Sequence, residues 1–102
     1  MHYLGRISGY GVLQCNGEHI ARVSYDFDGF FKRLVGVTCC GEIRLSAAAL
    51  KRVFGRTDVQ LLTDDGRLFD LTFSEKALLS ASDVAHVDVT GELPFTPESW
   101  RN

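Results

Sequence analysis

Two dipeptides, Asn16-Gly17 and Asp28-Gly29, bracket residues 18–27 and constrain the fold more than anything else in the chain. Asn-Gly and Asp-Gly supply the positive φ angles that tight two-residue hairpins need, so each is predicted to turn its flanking segment back antiparallel. Residues 18–27 then form the middle strand of a three-stranded meander. An extended strand of that length spans about 33 Å, long for a flat sheet in a protein of 102 residues. It is expected to coil strongly and to serve two sides of a barrel.

Two-residue turns also fix register. The first sets Val12 opposite Ala21 and Tyr10 opposite Val23; the second sets Val23 opposite Leu34 and Phe27 opposite Phe30. With Tyr25, these residues define the expected core face. The reverse face carries Glu18, Arg22, Asp26 and Arg33, which can pair across strands. It also carries Ile7, Leu13, Ile20, Phe31, Val35 and Val37. An apolar cluster of that size needs a cover, so Ile20, Phe31, Val35 and Val37 are the candidate interaction residues.

The remaining elements follow from local signals. Gly9 and Gly11 share a face of the first strand, residues 6–15, and are read as sites where the sheet coils. A third strand over 30–38 and a short fourth over 42–45 lead to Ser46, a helix N-cap. Residues 47–54 form the helix, with Lys51 and Arg52 in its last turn and Gly55 closing it. Ala47, Leu50, Val53 and Phe54 lie on one side, so the helix is expected to plug one end of the sheet. Between residues 58–63 and 67–73, a three-residue loop at Asp64-Asp65-Gly66 puts Val59, Leu61, Phe69, Leu71 and Phe73 on one face. A two-residue turn would scramble them. Residues 74–83 read as a loop or a single helical turn, and residues 84–90 alternate as a strand with one wet face. The fold class is therefore all-β, or β-rich α+β: an antiparallel barrel or curved sheet of six to seven strands, with one short helix near residues 46–54 after the fourth strand. Residues 1–102 make a single domain, in which 93–102, holding Pro94, Phe95, Pro97 and Trp100, form a C-terminal tail. Trp100 is a further candidate partner contact, because a proline-containing terminus stays ordered only where it docks.

Charge and cysteine usage narrow the function. A formal charge of −2, with basic residues scattered, supplies no long-range attraction to nucleic acid or to anionic membrane. No apolar run approaches the length of a membrane span, and no charged segment followed by an apolar stretch opens the chain. No membrane partner and a cytoplasmic location are expected. Cys15, Cys39 and Cys40 are odd in number and two are adjacent, unlike a secreted disulfide framework. Adjacent strand residues point to opposite faces, so Cys39 and Cys40 do not form a metal-binding pair. Asp26-Phe27-Asp28-Gly29 lacks the remaining ligands of a calcium loop. His86 and Asp88, two apart on a polar face, have the chemistry for acid–base work but no nucleophile beside them in sequence. Phe30-Phe31-Lys32-Arg33 mixes aromatic and basic side chains as single-strand nucleic-acid platforms do, and the element order loosely parallels an OB-type barrel.

The sequence leads to a non-catalytic protein-interaction or self-associating β module, with no cofactor or metal, and with a second copy or another protein as partner. The alternatives are a small barrel that binds an apolar small molecule between sheet and helix and, with less support, an OB-like nucleic-acid-binding domain.

Overall fold

The computed structural model describes residues 2–78 and 82–90. At Asn16 (φ 53°) and Gly17 (φ 84°) the chain reverses in the expected two-residue turn, joining β1 (His2–Cys15) to β2 (Glu18–Lys32). Asp28-Gly29 does not turn. Gly29 keeps a backbone without positive φ and sits buried between Gly5 on one side and Cys39 on the other. There a glycine lets three coiling strands approach closely. β2 runs on to Lys32, and the reversal falls at Leu34 (φ 73°) and Gly36 (φ 99°). The segments expected as third and fourth strands are consequently one strand, β3 (Gly36–Arg44). The helix follows the third strand, not the fourth.

A second correction concerns β1. Cys15 faces Glu18 and Gln14 faces His19, as the turn requires, but Leu13 then faces Ala21. Ile20 is the extra residue of a bulge, and the slip turns β1 over relative to the simple register. Ile7, Leu13 and Cys15 point into the core, whereas Tyr10 is exposed and Val12 half-buried. On β2 the expected face holds, with Val23, Tyr25 and Phe27 buried. A further irregularity lies between Tyr3 and Gly5 (φ 122°).

α1 (Ala47–Val53) begins where Ser46 Oγ accepts the Ala49 N–H at 3.2 Å and ends before Gly55 (φ 82°). Its buried side, Ala49, Leu50 and Val53, packs into the core cluster and plugs the barrel, with Ala47 and Phe54 only half-buried. β4 (Val59–Thr63) and β5 (Leu68–Phe73) pair with Leu61 opposite Phe69 and Val59 opposite Leu71. That is the face set by the three-residue loop, in which Gly66 takes φ 90° and the buried Thr63 Oγ1 accepts the Arg67 N–H at 2.9 Å. β6 (Val84–Thr90) buries Ala85 and Val87 and leaves His86, Asp88 and Thr90 wet.

The strand order is β1-β2-β3-β6-β5-β4, with β4 closing on β1, and every neighbouring pair is antiparallel. Two three-stranded meanders, joined by the helix connection, thus make a closed six-stranded barrel; an OB-type barrel has five strands in a Greek key. The interior is filled by side chains, among them Phe27, Phe69, Leu13, Ile43, Leu50 and Leu61, all under 2% exposed. Phe27 and Phe69 meet edge to face with centroids 6.0 Å apart. The charges on the outside pair across strands, Arg6 with Asp26 and Arg22 with Asp64, each through two guanidinium nitrogens. Arg22 and Asp26 were expected in such pairs. At this exposure they add little stability.

Candidate interaction surface

β1, β2 and β3 are longer than β4, β5 and β6, so one end of the three-stranded meander extends past the closed part of the barrel. The β2–β3 hairpin forms its tip. Val35 N–H donates to Lys32 C=O at 3.1 Å, closing a turn over Lys32, Arg33, Leu34 and Val35. Leu34 is 100% exposed and Val35 69%. A branched, apolar residue in the left-handed region is uncommon, because its Cβ crowds the following carbonyl. The strained residue is also the one whose side chain touches nothing. Phe31 and Val37 face each other just below the turn, Phe31 exposed and Val37 half-buried. Lys32 and Arg33 are exposed and form no ion pair among the described residues.

Of the sequence candidates, Phe31, Val35 and Val37 therefore gather at one tip. Ile20 does not join them. It sits half-buried against the core as the bulge residue beside the Asn16-Gly17 turn, roughly 35 Å away along an extended strand. Trp100 lies outside the described residues, as does the tail over 93–102. Leu34, the most exposed of the group, was missed by the sequence reasoning because the Asp28-Gly29 turn assigned it to the core.

Other clusters were tested against the same geometry. Phe30 packs on Tyr3 on the outer face, with centroids 5.3 Å apart, whereas Phe31 belongs to the opposite face. The two aromatics do not form one stacking surface. His86 and Asp88 gain a neighbour that sequence spacing did not reveal: Ser74 Oγ donates to Asp88 Oδ2 at 2.9 Å and lies 3.4 Å from His86 Nδ1. The serine stands between acid and imidazole, so Asp88 does not hold His86 in the order of a Ser-His-Asp triad. A groove of about 310 Å³ on the outer face is lined by Ser8, Tyr10, Ser24, Glu42, Arg44 and the Arg6–Asp26 pair. Gly9 and Tyr25 complete a lining of mixed polarity, and the groove is open.

Comparison with protein-family models, curated proteins and solved structures found no match to this chain.

The thiols are poorly suited to reaction. Burial, then the neighbouring Cys40 and Asp28, pushes the Cys39 thiol up to about 12, and burial likewise raises Cys15 and Cys40. Among the described residues no three His, Cys, Asp or Glu side chains are placed to hold a metal ion. The raised Cys39 value has a measurable consequence. The unfolded thiol ionises near pH 9 while the folded one stays protonated, so its contribution is complete below pH 9 and is lost as pH rises from there to about 12. Denaturant titrations at pH 8 and pH 10.5 should show wild type losing more stability than Cys39→Ala over that interval; equal losses would refute the assignment.

Proposed function

We propose that this chain is a non-catalytic interaction module that docks a protein partner through the tip of the β2–β3 hairpin. The observation that supports this reading is Leu34, fully exposed at a positive φ that disfavours leucine. Such strain is a pointer to a presented contact residue. The complementary surface is an apolar pocket for Leu34 and Val35 with an acidic rim facing Lys32 and Arg33. The chain as a whole carries a charge of −2, so this cationic end orients the approach of such a partner.

Leu34→Gly tests the reading by separating fold from binding. Glycine relieves a left-handed cost of about 1–2 kcal/mol, so the melting temperature should rise by several degrees. Capture of a partner should fall, because the anchoring side chain is gone. A partner held by the wild type and released by this stabler variant supports the hairpin tip; a partner held equally by both refutes it.

A further inference from the structure

We propose that the groove across the outer face of β1, β2 and β3 binds a neutral mono- or disaccharide, with the Tyr25 hydroxyl in its floor and the Tyr10 ring in its wall. Such binding is independent of the hairpin tip. The groove follows from register and side-chain length. Ser8 lies opposite Asp26, and Asp26 opposite Glu42; Tyr10 lies opposite Ser24, and Ser24 opposite Arg44. Between these two rows Gly9 has no side chain to fill the space. The short residues Ser8, Gly9 and Ser24 are thus ringed by long ones, and the depression of about 310 Å³ is of small-ligand size.

Tyr25 carries the argument. Its ring belongs to the core, and the residue is 8% exposed. Its hydroxyl lies beneath Gly9, where an added Cβ would stand 3.1 Å from the phenolic oxygen, and both residues line the groove. Among the described residues this hydroxyl makes no hydrogen bond. A buried phenol ordinarily finds a partner; here the oxygen is turned toward a groove instead. Burial pushes the Tyr25 phenol above its ordinary pKa, so it stays protonated and can both donate and accept.

The rest of the lining selects the ligand. The guanidiniums of Arg6 and Arg44 are balanced by the carboxylates of Asp26 and Glu42, so the groove has no net pull on an ion. Arg6 and Asp26 already hold each other. Glu42 and Arg44 form no ion pair or side-chain hydrogen bond among the described residues, which leaves one acceptor and one donor group facing a ligand. The hydroxyls of Ser8, Ser24 and Tyr25 can take either role, as sugar hydroxyls can. Tyr10, 63% exposed, supplies a ring face for the apolar C–H side of a pyranose. A zwitterion would engage Glu42 and Arg44 and leave the three hydroxyls unused.

Amide NMR titration of the isotope-labelled full chain tests this, with maltose, cellobiose and diacetylchitobiose as probes and inorganic phosphate and glycine as charged controls. At least one disaccharide should shift the amides of residues 8–10, 24–26 and 42–44 at millimolar concentration, and neither control should. Tyr25→Phe keeps the ring and removes a hydroxyl that the fold does not use. It should melt with the wild type and bind at least about threefold more weakly. Tyr10→Ala removes the ring face and should weaken binding more than about tenfold, whereas Tyr10→Phe should bind as the wild type does. The Tyr10 variants decide the matter if Tyr25→Phe fails to fold. Failure of all three sugars to shift these amides overturns the proposal. So does binding that survives either Tyr25→Phe or Tyr10→Ala, or a shift with phosphate or glycine as large as that with the sugar.

Discussion

Gly41→Ala should destabilise this barrel severely, although it adds a single methyl group. Gly41 lies on the inner face of β3, opposite Phe27 of β2 and Val87 of β6. A Cβ built there collides with the Asp26 carbonyl oxygen and comes within 2.8 Å of Phe27 Cα and 2.9 Å of its ring. Two of those atoms are backbone in the middle of a paired strand, and the ring is fixed between Tyr25 and Phe69. None of them is the free end of a flexible side chain, so β2 and β3 must separate. Overpacking a core costs about 1–3 kcal/mol and occasionally more; with backbone as the obstacle the upper end is expected. For a protein of this size, 3 kcal/mol lowers the melting temperature by roughly 12–24 °C. Gly17→Ala is the matched control: its Cβ meets nothing within 4 Å, and only the φ of 84° opposes it. Thermal unfolding followed by circular dichroism should separate the two clearly. A Gly41→Ala variant as stable as Gly17→Ala would mean that β2 and β3 do not pack as closely as this.

Gly41 also shows where sequence reasoning reached and where it stopped. Turns and caps fixed by a few adjacent residues were legible: the Asn16-Gly17 reversal, the three-residue loop ending at Gly66, and the Ser46 cap. Each depends on local φ preference or on a side chain that bonds its own backbone. Asp28-Gly29 carries the same local signal, yet Gly29 packs between Gly5 and Cys39. The need for close approach across three coiled strands is nonlocal and outweighs a turn preference. A signal against the turn was present in the alternation Val23, Tyr25, Phe27, which continues through Gly29 to Phe31 on the same face. The misplaced turn hid Leu34 and split β3 in two. Phe31, Val35 and Val37 were still legible as apolar residues in need of a cover, because their chemistry does not depend on where the strand ends. The short reach of β4, which pairs only with residues 11–15 of β1, was not legible, since it follows from how the barrel closes.

Leu13→Ala and Tyr10→Ala should differ by several kilocalories per mole, in the sense opposite to the simple hairpin register. A two-residue turn with no bulge puts Tyr10 and Val12 inside and Leu13 outside. With Ile20 bulged, Leu13 is fully buried between Ala21 and Leu61, while Tyr10 is 63% exposed beside the end of β4. Truncating a buried leucine loses its transfer free energy and leaves a cavity, together about 2–5 kcal/mol. Leu13 belongs at the upper end, because Leu61 and its other neighbours sit on paired strands that cannot collapse into the space. Tyr10 offers little side-chain burial to lose, and its carbonyl, which accepts the Asp64 N–H, is unchanged by truncation. Its loss should stay within about 0.5 kcal/mol, as for other surface substitutions. The urea midpoints of the two variants, measured with equal m-values, decide the register without any structural probe. A large loss for Tyr10→Ala with a small one for Leu13→Ala would remove the bulge and return β1 to the unshifted register.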